Sequence, residues 1–392
     1  MLDAARQGVR HWPSVPARIA AFYAATYFIT GLVTPYLPIW FEARRLTVVE
    51  IGTLAIIPQF TRIMFSPAVG FAADRYRSHR ALIIALSALG LVAWGVLTQA
   101  HEFALASVAM TVIALSATAN PLVETIAMAG VGSHGHDYGR MRLWGSAAFV
   151  VANLLGGWLA GRYGVDSLIY LMIFGAAATL AAAILLPQPE SLKERSAAKR
   201  LSWKDARALL NNPVMQVFLI AAGCVQGAHG MFYAYGTLHW KAYGIAADWY
   251  GILWAIGLMT EIALFWWSRQ AMRRIGAAEL IVIAAALSVF RWTAMAFDPP
   301  LALLLPLQVL HGVTFGASHL GAMHVLAAIA PPDRSATAQA MYAFSATIGT
   351  MLATALAARC YAQAGGKTYL IMAMMALIGV AFAENLRRRK LA

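Results

Sequence analysis

Charged side chains are scarce in this chain: Asp, Glu, Lys and Arg make up 12% of 392 residues, while 60% are hydrophobic. A water-soluble fold of this length has too little interior to hide that much apolar surface, which excludes an ordinary soluble enzyme or binding domain. Cysteine is nearly absent. Cys224 and Cys360 lie in or near apolar runs and are expected to be free thiols with no disulfide or metal role. The net charge of +13 would suit nucleic acid, but the basic residues sit in short segments between apolar runs, the topology pattern of membrane proteins, so no nucleic-acid partner is expected. No glycine-rich phosphate loop, His-Glu-x-x-His motif or nucleophile elbow occurs. The expectation is therefore no enzyme, no cofactor and no ATP-driven pump. The first seventeen residues are polar and basic, without a short apolar core and cleavage site, so no cleaved signal peptide is expected.

What the chain does have is apolar runs, most about 20 residues or longer, the length an α-helix needs to cross hydrocarbon. Backbone groups find no water in lipid, so only helices or closed barrels span it, and these runs lack the period of two of barrel strands. Twelve spans are expected at 18–40, 49–72, 80–99, 103–130, 143–163, 167–187, 212–238, 247–268, 278–297, 300–330, 337–359 and 367–386. With the N-terminus in the cytoplasm, residues such as Arg75, Arg77, Arg80, Arg140, Arg142, Arg273, Arg274 and Arg387 fall on the cytoplasmic side. The other side keeps only Arg44, Arg45, Arg162, Lys241, Arg359 and Lys367. That bias supports both the count and a multi-pass inner-membrane protein with both termini cytoplasmic. The longest polar stretch, 188–211, reads as a cytoplasmic linker between an N-terminal six-helix bundle (1–187) and a C-terminal one (212–392). No internal repeat is claimed from the residues themselves.

Polar groups interrupt the apolar runs at mid-span. Arg62, Glu124, Glu261 and Arg291 are charges at or near membrane depth, where a carboxylate costs about 2.5–3.5 kcal/mol on insertion scales. Two are negative and two positive, as expected if they pair in a cavity; the plainer alternative is a static ion pair that fixes helix packing. Gln59 and Arg62, Asn120 and Glu124, Gln226 and His229, and Gln308 and His311 are spaced to share helix faces. Four such pairs at similar depth favour a common aqueous cavity over interhelical hydrogen bonding alone. His311 and His319 are about 12 Å apart along a helix, too far for one ion, so no metal site is expected. Aromatic residues including Tyr23, Tyr27, Tyr233, Trp254 and Phe315 interleave with the polar ones, and the mixture would suit an aromatic carboxylate.

The segment GFAADRYRSHR (70–80), with Gly70, Asp74 and Arg75, resembles the loop signature of the major facilitator superfamily, in which charges at helix ends stabilise one conformation. DYGRMRLWGSAAFV (137–150), QGAH (226–229), the Glu261 segment, RWTAMA (291–296) and LHGVTFGASHLGAMH (310–324) together resemble the phenylpropionate permease branch of that superfamily, related to the lactose permease group. The resemblance implies an all-α membrane protein, twelve transmembrane helices in two six-helix bundles, importing a small organic solute with a proton. It also implies roles for Arg142, Glu261, Arg291 and His311, which fall where that group keeps an arginine, an acid, a base and a histidine; Glu124 is an approximate match. Thr314 stands where the sugar symporters place a carboxylate, so their proton acceptor cannot be copied. The resulting expectation gives proton coupling to Glu261, Arg291 and His311. Substrate contacts fall to Arg62, Asn120, Glu124, Arg142, Gln226, His229 and Gln308. The partners are a 3-phenylpropionate-like solute, protons and the lipid bilayer, and the protein is taken as a monomer. Alternatives are a sugar or nucleoside symporter or drug exporter of the same fold, and, in another class, a membrane-embedded receptor or enzyme.

Overall fold

The computed structural model describes residues 14–76, 78–134, 137–188, 203–331 and 334–389; among them no β-strand occurs. Among the described residues, eleven stretches are long and apolar enough to cross a bilayer. The last, Thr337–Arg388, is two helices joined by the 3-10 turn Gly365–Thr368, so the crossings number the expected twelve. Span 1 is Val15–Ala43, span 2 Val48–Tyr76 and span 3 His79–Leu97. Span 4 is Phe103–Ser116 continued by Ala119–His134, span 5 is Tyr138–Tyr163 and span 6 is Leu168–Leu185. Span 7 is Pro213–Gly227 continued by Gly230–Ala242, span 8 is Ala247–Trp266 and span 9 is Ala277–Met295. Span 10 runs Leu301–His311, a π-helical turn Gly312–Ala317, then Ser318–Ile329; spans 11 and 12 are Ser335–Ala364 and Tyr369–Arg388.

Two corrections concern connections. Residues 189–202 of the expected linker lie outside the described residues, but its last part is not an extended loop: Trp203–Leu210 is helical, and Leu209 is buried with Phe218 and Tyr342. Spans 7 and 10 are also not continuous α-helices. Span 7 breaks at Ala228–His229, and span 10 widens into a π-turn. Irregular backbone at membrane depth persists where protein or a cavity, rather than lipid, surrounds it.

The packing shows a repeat that the residues conceal. In the N-terminal half, span 1 packs on 5 and 6, span 3 on 4 and 6, and span 2 on 4. Adding six to each number gives contacts 7 with 11 and 12, 9 with 10 and 12, and 8 with 10, and the C-terminal half makes all of these. The halves meet through spans 5 and 8, and 2 and 11, two pairs that exchange under the same operation, and through 1 and 7. Glycine allows the closest of these approaches. A Cβ on Gly251 of span 8 would lie 2.1 Å from the carbonyl of Asn153 in span 5, and one on Gly52 of span 2 would collide with Tyr235 and Ala358.

Candidate transport cavity

A cavity of about 960 Å³ lies between the halves. The N-terminal half contributes Tyr27 from span 1, Gln59 and Arg62 from span 2, and Arg142 from span 5. Facing them are Gln226 and Tyr233 of span 7, Trp254 and Glu261 of span 8, and Gln308, His311 and Phe315 of span 10. The Tyr235 hydroxyl donates to the Val48 carbonyl (2.8 Å), and Lys241 pairs with Glu42 (2.6 Å), both between halves. These ties, and the glycine contacts of spans 5 and 8, lie toward the end bearing loops 44–47 and 243–246, here called the far end. The opposite end carries the linker.

Arg291 sits under the span-10 wall of the cavity and is fully buried. The expected ion pair is not what holds it. Its Nη2 donates to Gln308 Oε1 (3.0 Å), and its Nη1 to His311 Nδ1 (3.2 Å) and Thr314 Oγ1 (3.3 Å). Among the described residues no carboxylate pairs with it; its guanidinium lies over the rings of Trp292 (4.4 Å) and Phe232 (5.0 Å).

Because an arginine only donates, His311 Nδ1 must accept, so the neutral ring carries its proton on Nε2. His311 itself lines the cavity.

His229 has the other tautomer. At the break in span 7 its Nδ1 faces the carbonyls of Val225 (3.2 Å) and Gln226 (3.3 Å) and donates to them, leaving Nε2 to accept from the Thr314 hydroxyl (3.3 Å). Thr314, the position without a carboxylate, is thus a neutral hub between spans 7, 9 and 10. His229 is fully buried and belongs to this network rather than to the cavity wall. Gln226 lines the cavity, yet its amide also donates to Ser318 Oγ (2.8 Å), tying spans 7 and 10.

The N-terminal half has its own charged cluster. Glu124 accepts from the hydroxyls of Tyr23 and Tyr138 (2.8 Å each), and Arg142 stands 3.8 Å from it. Arg142 also donates to the Tyr27 hydroxyl and lies 3.9 Å over that ring. Glu124 is therefore set behind the wall. Asn120, four residues earlier, opens instead onto a separate cavity of about 100 Å³ inside the N-terminal half, with Ser87 and Ser116. Shared face and shared cavity are different things here, because a helix face is broad enough to border both.

Two ionisable groups of the main wall remain unengaged. Among the described residues, neither Arg62 nor Glu261 makes a hydrogen bond or ion pair, and both line the cavity, from opposite halves. Span 10 seats directly on Glu261: a Cβ on Gly312 would lie 2.9 Å from its backbone nitrogen and one on Gly316 3.2 Å from its Cγ. Of the loop residues, Gly70 has open space around it and Arg75 is exposed, while the side chain of Asp74 lies outside those described. Residues whose part was not foreseen are Tyr138, a second donor to Glu124, and the phenol of Tyr233, which lines the cavity within electrostatic reach of Glu261. The i,i+4 spacing of Tyr138 and Arg142 was the available signal.

Residues 17–371 match the model of the MFS_1 like family. The chain is 29% identical over 366 residues to a probable 3-phenylpropionic acid transporter of Escherichia coli (strain K12), covering 92% of this chain and 94% of that one. It is 26% identical to the maltose permease of Geobacillus stearothermophilus, covering 94% of each. The crystal structure of the nucleoside transporter NupG superposes with a TM-score of 0.80 over 96% of this chain and 99% of that one, at 17% identity, which speaks for the fold. The chain belongs to the MFS_1 like family, and it is a multi-pass membrane transporter of the major facilitator type, not an enzyme.

Proposed function

We propose that the protein is a proton symporter that carries a small organic anion, an aromatic carboxylate of the 3-phenylpropionate kind, inward across the inner membrane. In this reading the linker end and both termini are cytoplasmic, as the basic loops suggest. The observation that carries it is the pair of unengaged charges facing one cavity, Arg62 from span 2 and Glu261 from span 8.

Each has a distinct task. Arg142 is engaged by Glu124 and Tyr27, and Arg291 by three neutral acceptors, which leaves Arg62 as the cation open to a carboxylate. Trp254, Tyr233 and Phe315 supply apolar and aromatic wall for a ring. Glu261 is the wall carboxylate free to take up a proton. His311 is a poor carrier while Arg291 occupies its Nδ1; its Nε2–H serves better as a donor to the solute. Solute and proton then load the two halves together, and the halves rock about the site. A relative named for 3-phenylpropionic acid supports this solute class over a sugar, and the free arginine favours an anion over a neutral molecule.

The test is uptake of labelled 3-phenylpropionate, a nucleoside and a disaccharide into proteoliposomes under an imposed pH gradient. The phenylpropionate is expected to accumulate, and Glu261→Gln to lose gradient-driven accumulation while keeping solute exchange. Wild-type uptake insensitive to collapse of the gradient contradicts symport, and full accumulation by Glu261→Gln shows that another group carries the proton.

A further inference from the structure

A second cluster of ionisable groups lies at the far end, away from the cavity. His239, at the end of span 7, is buried (4% exposed). Its Nε2 stands 2.8 Å from Asp298 Oδ1, and a carboxylate only accepts, so Nε2 carries the proton. Nδ1 is then left to accept from the Tyr361 hydroxyl (3.0 Å) of span 11. The ring of Tyr361 stacks on Tyr235 at 4.9 Å and 15°, and Tyr235 donates across to Val48 of span 2. A second donor, Tyr243, reaches the other oxygen of Asp298, and this bond holds its hydroxyl protonated above the ordinary phenol range. Tyr361, His239 and Tyr243 all donate toward Asp298, whose carboxylate is their terminal acceptor, while Tyr235, held to Tyr361 by ring stacking, donates the other way, across the contact between halves.

The backbone of Asp298 is costly to hold. Its φ is +52°, in the left-handed region that residues with a side chain seldom adopt. Gly366 gives it room: a Cβ there would lie 2.1 Å from Asp298 Oδ1. A strained aspartate, two phenols and a histidine of fixed tautomer, set against a tie between halves, need an explanation that solute binding does not provide.

We infer that the Asp298–His239–Tyr361–Tyr235 chain is a latch that holds the far end shut. By fixing the Tyr361 ring, Asp298 and His239 fix the face on which Tyr235 must lie to reach Val48. Alternating access requires that tie to break when the far end opens, and the bonds to Asp298 offset the backbone cost of holding it there.

The test uses full-length protein with Cys224 and Cys360 changed to Ser and spin labels on cysteines placed at the exposed far-end positions Arg162 and Gln363. Pulsed electron resonance reads the distance between halves without solute or gradient, so its outcome is independent of the role proposed for Glu261. Tyr235→Phe removes one hydroxyl, and Asp298→Gly removes the acceptor of the chain at a position whose left-handed backbone glycine adopts freely. Each is expected to raise the ratio of the long to the short distance about five-fold, the effect of losing a hydrogen bond of about 1 kcal/mol net. The double variant should rise no further than the larger single one, because both act on one chain. Distributions unchanged from wild type in both folded single variants, or effects that multiply in the double, would overturn the latch.

Discussion

Arg291 and Arg62 are the same side chain in opposite circumstances. Arg291 is sealed under the cavity and divides its donors among Gln308, His311 and Thr314; Arg62 reaches the cavity with its donors unspent. Lysine is a single point charge and cannot reproduce a planar fork that serves three acceptors. Arg291→Lys is therefore expected to lower the maximal uptake rate at least ten-fold although the charge is retained, since each orphaned buried acceptor costs about 1–3 kcal/mol. At Arg62 the charge itself matters. Arg62→Gln should raise the KM for 3-phenylpropionate at least ten-fold, whereas Arg62→Lys should recover part of it; equal KM values in all three proteins would contradict an anion contact there. The sequence made both arginines visible, because charge in an apolar run is conspicuous. It could not say which was spoken for: the partners of Arg291 are uncharged residues, and the partner of Glu124 is Arg142, outside the set of mid-span charges.

Among the elements, span 10 shows most clearly what a linear pattern hides. Its glycines, Gly312 and Gly316, press on Glu261, and there the helix widens into a π-turn. Hydropathy located the span but carries no mark of that turn, which depends on packing against span 8. Spans 7 and 11 make a similar point. A Cβ on Gly349 would lie 2.2 Å from the carbonyl of Gly223, so the two backbones approach in a way that any side chain forbids. Gly349→Val is expected to push the helices apart at a cost of about 1–3 kcal/mol. A lowered melting temperature in detergent checks it, and an unchanged one would show that the contact is not structural. Gln226 and His229 were read as one polar face; the break at Ala228–His229 turns the histidine inward and leaves the glutamine on the wall.

For the whole molecule, the number of crossings and the asymmetry of basic loops were plain in the chain, since bilayer thickness dictates the first and membrane topology the second. The pairing of spans by addition of six was not, because two halves can share packing while their side chains diverge. That symmetry places one unengaged charge from each half on a single cavity, and the ties between halves named above lie at the far end. The account stands or falls on coupling at Glu261. The direct measurement records external pH and labelled 3-phenylpropionate together in proteoliposomes, above the leak of protein-free vesicles, which the neutral acid crosses unaided. Protons and solute are predicted to enter in fixed proportion in the wild type, and the proton signal to vanish in Glu261→Gln while solute exchange persists. Solute entry without proton entry, or an undiminished proton signal in Glu261→Gln, would contradict it.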